Sequence, residues 1–198
     1  NLIAIVESNK TGLYISSDAG KSWKQQSASL NVVARPFYFS TLVIDPLDPK
    51  RVYRPAYSFS FSSDGGYSFA EASGEGGWVH SDHHALWINP NNTNQLYLGT
   101  DGGVYTSMDK GVTWIYNQNL PVGQFYHVAH DMKKPYRIYG GLQDNGSWVA
   151  PSSAASGVSN GDWKSIYGGD GFWVAPDLND ENIAYAEAQG GNMARVDL

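Results

Sequence analysis

Strand-forming residues occur along this chain in short runs, and glycine, aspartate, asparagine and proline separate one run from the next. The pattern is clearest between residues 85 and 116, where it predicts four strands at 85–88, 95–99, 103–107 and 112–116. The turn-forming residues leave too little room between them for helices of useful length. The chain is therefore predicted to be all-β.

Two landmarks recur along the chain with the same period of about 45 residues. The first is the pattern Ser-x-Asp-x-Gly-x-Ser/Thr-aromatic, with its aspartates at Asp18, Asp64 and Asp109. The second is a strand that ends near a tyrosine, at Tyr53, Tyr97, Tyr139 and Tyr185. Because the two landmarks are independent, their agreement indicates a structural repeat.

Four antiparallel strands at this period are typical of a β-propeller blade, whose strands we label A to D in chain order. The pattern predicts eighteen strands: B to D of a first blade, three complete blades, and A to C of a fifth. We expect one propeller domain, with blades at residues 1–27, 40–72, 84–117, 125–168 and 171–198. A β-sandwich is the alternative, but it has no four-strand superperiod. In the fourth blade, residues 151–161 are expected to form a surface excursion between strands C and D.

Composition narrows the possible functions. The chain has 198 residues, a formal net charge of −6 and no cysteine. The negative charge argues against a nucleic-acid partner, and no apolar run is long enough to span a membrane. The lack of cysteine excludes disulfides and thiol nucleophiles.

The chain starts without methionine, and closing a ring within it would duplicate strands B and C. We therefore expect the rest of a longer polypeptide, or another chain, to complete the propeller.

The repeated Ser-Asp-Gly pattern has a local structural explanation. A short aspartate side chain can accept hydrogen bonds from turn amides, glycine permits a positive φ, and the final ring covers a blade interface. The residues expected to have this structural role are Ser16, Asp18, Gly20, Trp23, Ser62, Asp64, Gly66, Phe69, Ser107, Asp109, Gly111 and Trp114. With this pattern the chain resembles the Asp-box, or BNR-repeat, propellers, a group that includes sialidases, xyloglucan-degrading glycosidases and sortilin-type receptors. In that group the motif lies on the face away from the ligand.

Four further segments narrow the resemblance: residues 80–90 (HSDHHALWINP), 99–105 (GTDGGVY), 139–148 (YGGLQDNGSW) and 168–172 (GGDGF). With these segments the chain resembles large secreted bacterial proteins that are described as sortilin-like or glycosyl-hydrolase-like. The resemblance implies an extracellular or periplasmic location more firmly than it implies a reaction. The chain lacks the arginine cluster and the Arg-Ile-Pro segment of sialidases, and it lacks the cysteine-rich module of sortilin receptors.

Blade topology separates the polar residues by face. The D-to-A connections and the B-to-C turns of a propeller open on one face, which normally carries the chemistry. The residues expected there as ligand-binding groups are Asp82, His83, His84, Asp101, Gln143, Asn145 and Gln189. Asp144 and Asp170 are the candidate acid and base of a glycosidase. That reaction would need their two carboxyl groups at a defined distance from each other and a raised pKa on the one that acts as the acid. Each aspartate next to glycine could instead simply cap its own turn.

Metal binding at residues 80–84 is possible by residue type. Adjacent residues of an extended chain point to opposite sides, however, so His83 and His84 are not expected to share one ion. We predict no metal and no cofactor. Aromatic residues in or beside the same segments could stack on sugar rings or hold a peptide, although those at 57, 59 and 61 are better explained by packing. They are Tyr57, Phe59, Phe61, Trp78, Phe125, Tyr126 and Trp173.

Two functions stay open. The first is a secreted propeller module that binds a peptide or a glycan at the tunnel rim. The second is a glycoside hydrolase resembling the xyloglucanases. No motif in the chain is specific to catalysis, which favours binding.

Overall fold

The computed structural model describes residues 1–35, 38, 41–71, 79–120 and 122–198, so Trp78 lies outside the described residues. The described part contains eighteen strands. They are β1 (Leu2–Val6), β2 (Gly12–Ser16), β3 (Lys24–Ser27), β4 (Val43–Ile44), β5 (Val52–Arg54), β6 (Ser60–Ser62), β7 (Ala70–Glu71), β8 (His83–Ile88), β9 (Leu96–Thr100), β10 (Gly103–Ser107), β11 (Ile115–Tyr116), β12 (Phe125–His130), β13 (Arg137–Leu142), β14 (Gly146–Pro151), β15 (Lys164–Tyr167), β16 (Gly171–Pro176), β17 (Ile183–Ala188) and β18 (Asn192–Asp197).

The strands form five antiparallel sheets in which each strand pairs with its neighbour in sequence. The first sheet is β1-β2-β3, the fifth is β16-β17-β18, and the three sheets between them have four strands each. The all-β class, the four-stranded blades and the three-stranded first and last sheets are as predicted. The described helices are α1 (Leu30–Val33) and two short 3-10 segments at Asn160–Asp162 and Gln189–Gly191. None of these described helices could cross a lipid bilayer.

The chain divides into two compact units, Asn1–Asn119 and Leu120–Leu198. The first unit holds sheets 1 to 3, and the second holds sheets 4 and 5. In every sheet, the turn between strands B and C lies at one end of the strands, which we call the B–C end. The turn between strands C and D lies at the opposite end, which we call the C–D end.

The three Ser-Asp-Gly turns in the first unit have the same hydrogen bonds. In the third turn, Ser107 Oγ donates to Asp109 Oδ1 at 2.8 Å and accepts from the Gly111 N–H at 2.8 Å. Asp109 also accepts from the N–H and the hydroxyl of Thr113. The turns at Asp18 and Asp64 repeat this set with Ser22 and Ser68. Each turn therefore satisfies its own polar groups at the C–D end.

These bonds lower the pKa of all three carboxyls below the ordinary aspartate value of 3.8. Hydrogen bonds from Ser22 and Ser16 lower the pKa of Asp18 to about 2. At Asp64 burial raises the pKa, but hydrogen bonds from Ser68 and Ser62 outweigh it and lower the value to about 2. Both carboxyls stay ionised and fully engaged in the turn at neutral pH.

Sheets 2 and 3 pack through an aromatic core. Phe59 lies edge-on to Trp114 with ring centroids 5.1 Å apart, and 5.7 Å from Tyr53. The core also includes Leu96 and Leu98, which are fully buried. The final ring of the third Ser-Asp-Gly turn thus covers an interface between blades, whereas Trp23 of the first turn is exposed.

Sheets 4 and 5 pack so closely at one point that only glycine fits. A Cβ on Gly171 would come within 2.6 Å of Gly146 C and Ser147 Oγ, and one on Gly141 would meet the backbone of Gly171. Real Cβ atoms do not approach backbone this closely, so a side chain here would push the two sheets apart. The core beside this contact contains Tyr139, Val149, Val174, Ala184 and Ala186.

A second repeated hydrogen-bonded turn lies between strands A and B, and sequence analysis missed it. The aspartate or asparagine at its start accepts backbone N–H groups of the turn. The four residues are Asp45, Asn89, Asp131 and Asp177, each eight positions before one of the repeated tyrosines. The tyrosine hydroxyl donates back to the aspartate in sheets 4 and 5, at 3.0 and 3.2 Å. In the other two sheets the hydroxyl has different partners: that of Tyr53 donates to the Lys110 carbonyl, and that of Tyr97 accepts from Gln95 Nε2.

The repeated tyrosine differs in exposure from sheet to sheet. Tyr53 and Tyr139 are fully buried, whereas Tyr97 is 37% and Tyr185 is 46% exposed. Tyr53 belongs to the core that sheets 2 and 3 share, and Tyr139 to the core that sheets 4 and 5 share. The position is therefore buried where a neighbouring sheet of the same unit covers it.

Arg54 anchors the described residues that follow sheet 1. Its side chain is fully buried, and its guanidinium donates to the carbonyls of Val32 and Ala34. Burial lowers the pKa of Arg54 to about 10, so the side chain remains charged at neutral pH. The charge is tolerated inside the protein because it is hydrogen-bonded to these carbonyls.

Candidate functional site

In the first unit, ionisable side chains meet at the B–C end of sheet 3. His84 Nε2 lies 2.7 Å from Asp101 Oδ1, and Arg35 Nη1 lies 3.4 Å from Asp82 Oδ1. The Asp101 N–H also donates to the Asp82 carbonyl at 3.3 Å. The D-to-A connection and the B-to-C turn are therefore joined, and Arg35 is a member that sequence analysis did not assign to the site.

His83 lies apart from this group although it is adjacent in sequence. It is only 3% exposed, and neither ring nitrogen makes a hydrogen bond within the described part of the chain. Burial lowers the pKa of His83 below its ordinary value, and the nearby backbone of His80 and Ser58 offsets only part of the effect. The side chain is therefore neutral at pH 7 and belongs to the core, not to a ligand-facing surface.

In the second unit, the predicted residues form a hydrogen-bonded chain at the B–C end of sheets 4 and 5. The Asp144 N–H donates to Asp170 Oδ1 at 2.6 Å, and the Asp170 N–H donates to Gln189 Oε1 at 2.7 Å. In the turn itself, Asn145 Nδ2 donates to the Gln143 carbonyl at 2.8 Å. Asp144, Asp170 and Gln189 thus lie together because the two sheets stack, not because of sequence spacing.

Gln124 is the residue that sequence reasoning missed here. Its Nε2 donates to Gln143 Oε1 at 2.7 Å, and its carbonyl accepts from the Gln143 N–H at 3.2 Å. It occupies the position before strand A that Asp82 holds in sheet 3 and Asp170 holds in sheet 5. Its position before a strand A was the available signal.

The first strand of sheets 3, 4 and 5 has a β-bulge at the same position, just after this polar residue. The bulge falls at His84 in β8, at Tyr126 in β12 and between Gly171 and Val174 in β16. A bulge re-aims a side chain and is common next to functional sites. In the second unit Tyr126 and Phe172 stack with centroids 4.8 Å apart, and the next pair, His127 and Trp173, stacks at 3.8 Å.

Two of the site aspartates have strained backbones. Asp82 has φ 61° and Asp144 has φ 58°, in the left-handed region that most side chains avoid. Strain of this kind is often found at functional sites. It also restricts which residues fit there, because aspartate, asparagine and glycine enter this region at least cost.

These ends can supply hydrogen-bond acceptors, amide groups and aromatic rings. Among the described residues, no group of three or more His, Asp or Glu side chains is arranged to hold a metal ion. Tyr57, which was expected to pack with Phe59 and Phe61, lies exposed in the β5–β6 turn, whereas Phe59 is buried. The arrangement is suited to holding a polar ligand by hydrogen bonds and ring stacking.

No family model and no curated protein matches this chain. Among solved structures, it is similar to the GH74 enzyme of Niastella koreensis, with 16% identity, a TM-score of 0.48 and coverage of 90% of this chain and 30% of that one. It is also similar to the GH74 xyloglucanase of Xanthomonas campestris, with 18% identity, a TM-score of 0.41 and coverage of 96% of this chain and 27% of that one. A third similar structure is YCF48 bound to D1 peptide, with 13% identity, a TM-score of 0.42 and coverage of 93% of this chain and 58% of that one. The chain thus spans less than a third of the two GH74 proteins, and likeness at this level transfers no activity.

Proposed function

We propose that this chain is part of a secreted Asp-box propeller that binds a glycan at the B–C end of its blades. The observation that carries the proposal is in the second unit. There the Asp144–Asp170–Gln189 chain leads into β16, where the 55% exposed indole of Trp173 stacks on His127. Hydroxyl-rich ligands with an apolar ring face need both kinds of group, fixed acceptors and a ring to stack on.

The hydrogen bonds favour binding over catalysis. Asp170 Oδ1 already accepts the Asp144 N–H, and Gln189 Oε1 already accepts the Asp170 N–H. Groups held in this way are pre-organised to present their remaining lone pairs to a ligand. A general acid must instead hold a proton for the substrate, and an N–H donated to a carboxylate favours the ionised form, which has no proton to give.

A glycoside hydrolase is the second candidate, and one observation favours it. The backbone contact between Asp144 and Asp170 brings two carboxyl-bearing residues together in one unit. An inverting pair needs its carboxyl groups about 6.5 to 9.5 Å apart, and a retaining pair about 5 to 5.5 Å. If the chain is catalytic, these two aspartates are the acid and base, and Gln143, Asn145 and Gln189 bind the sugar.

The same proposal assigns Asp82, His84 and Asp101 to ligand binding in the first unit, and it removes His83 because of its burial. Among the strands that the structure describes, sheets 1 and 5 each have one fewer than the other three sheets. We propose that a strand from the same polypeptide or from another chain pairs with the free edge of β18. An edge strand presents unpaired N–H and C=O groups that can accept such a strand.

A glycan array and a polysaccharide-hydrolysis screen on the full-length protein test the proposal. Asp170→Asn should weaken glycan binding, and the exposed Asp197→Asn at the far end of β18 should not. Binding to a peptide library without binding to glycans would replace the glycan by a peptide. Release of reducing sugar that is lost in both Asp144→Asn and Asp170→Asn, with the fold intact, would establish the hydrolase instead.

A further inference from the structure

His83 lies between the core of the first unit and the proposed ligand-binding residues. Its ring is edge-on to Phe59, with centroids 6.2 Å apart, and Phe59 in turn packs on Trp114. The residues on either side in sequence, Asp82 and His84, both carry side chains of the polar cluster. A movement of the His83 ring would therefore move that cluster.

The backbone around His83 is docked on sheet 2 by two hydrogen bonds. The His83 N–H donates to the Ala56 carbonyl at 2.8 Å, and the Asp82 N–H donates to the Tyr57 carbonyl at 3.3 Å. These bonds tie the D-to-A connection of one blade to the B-to-C turn of the preceding blade. Nothing else in that turn, residues 55–59, is ionisable apart from the Tyr57 hydroxyl.

Where it lies, the buried ring has little to stabilise a positive charge, because the nearby backbone of His80 and Ser58 offsets only part of the effect of burial. Both ring nitrogens are buried without a hydrogen-bond partner in the described residues. The ionisable groups that act on it are Asp82 and His80, both on its own connection. Asp82 already faces Arg35, and Asp101 of the adjacent turn faces His84. A charged imidazole would gain a partner only by leaving the core and moving toward Asp82.

We infer that protonation of His83 is a switch that releases residues 80–84 from sheet 2 and disperses the Asp82, His84 and Asp101 cluster. The neutral ring fits the core, so the docked form is stable at neutral pH. Because burial holds the pKa of the docked ring below the ordinary histidine value of about 6.5, the ring gains its proton only as the pH falls below that value, and the charged form is then accommodated with the ring expelled. Acidification therefore opens this end of the blade.

The effect on ligand binding rests on the proposed function, but the switch itself does not. The test therefore uses the chain without any ligand. Amide signals of Asp82 and His83 are followed by NMR from pH 7.5 to pH 4.5, together with the ring signals of His83. We expect these amides to shift, and their exchange with solvent to accelerate, in step with titration of the His83 ring.

Two variants separate the switch from other titrations. His83→Gln, which cannot become charged, should abolish the transition, and His84→Gln should retain it. The same transition in His83→Gln, or a His83 ring that titrates while the amides of Asp82 and His83 stay unchanged, would overturn the inference. If His83→Gln does not fold, the coincidence of ring titration and amide shifts in the unsubstituted chain decides. If the unsubstituted protein bound no glycan at any pH, the proposed function would be contradicted, but the switch would not.

Discussion

Replacing Asp131 by asparagine tests how the repeated A–B turn stabilises the second unit. Asp131 Oδ2 accepts from Arg137 Nε at 2.6 Å and from the buried Tyr139 hydroxyl at 3.0 Å, while Oδ1 accepts the Arg137 N–H at 2.8 Å. An asparagine keeps one oxygen acceptor and places an amide donor against donors. If the amide nitrogen takes the place of Oδ2, both the Arg137 side chain and the Tyr139 hydroxyl lose their acceptor; if it takes the place of Oδ1, the Arg137 N–H loses its acceptor.

The magnitude follows from the pKa of the carboxyl. Burial raises it, but hydrogen bonds from the Arg137 backbone, the Arg137 side chain and Tyr139 outweigh burial and lower it from 3.8 to about 2. The side chain is only 9% exposed, so solvent screens little of this effect. A difference of nearly two pKa units corresponds to about 2 kcal/mol of stability at neutral pH.

The pH dependence has a definite sign. Because the folded-state pKa is depressed, the contribution is complete above the unfolded value of 3.8 and is lost as the pH falls toward 2. Urea unfolding followed by tryptophan fluorescence should show Asp131→Asn less stable by about 2 kcal/mol at pH 7, and by about half of that at pH 3.

Asp177 supplies the matched control. It has the same place in sheet 5 and accepts from the Tyr185 hydroxyl at 3.2 Å, but Tyr185 is exposed. Asp177→Asn should therefore cost much less than Asp131→Asn, because its hydrogen bonds are open to water. Equal losses in the two variants, or a loss at Asp131 that does not change with pH, would refute the reasoning.

Two further substitutions test the packing. Gly171→Ala should lower the melting temperature strongly, because the added methyl would collide with the backbone of Gly146. The control Gly168→Ala should change the melting temperature little, because nothing lies within 4 Å of its Cβ. Equal effects of the two substitutions would contradict the close approach of sheets 4 and 5. Arg54→Met should cost about 2 to 4 kcal/mol in urea unfolding, because two backbone carbonyls lose their donor. It should also make residues 30–35 more sensitive to limited proteolysis, and unchanged cleavage there would argue against their anchoring by Arg54.

The sheets could be predicted from the sequence because their causes are local. Turn residues and strand-forming runs alternate along the chain, and Ser107, Asp109 and Gly111 complete their hydrogen bonds within five residues. The A–B turn was equally local, and it was missed because its first residue varies between aspartate at 45 and asparagine at 89.

The site was less predictable because stacking of sheets brings it together. The contact between Asp144 and Asp170 joins two blades, and nothing in either segment alone indicates it. The fates of His83 and His84 illustrate the same limit. Parity correctly separated the two side chains, but only the packing of Phe59 against β8 determines which of them is buried.

The unequal exposure of the repeated tyrosines offers a chemical footprint of blade contacts. Nitration requires the phenolate, and at Tyr139 burial raises the pKa, as does the hydrogen bond to Asp131, so this ring should resist the reagent. Tyr185, at the same position in sheet 5, is open to it. Peptide mapping after nitration would therefore report, sheet by sheet, which faces have a neighbour. Protection of Tyr185 on adding a longer polypeptide would identify the sequence that covers it.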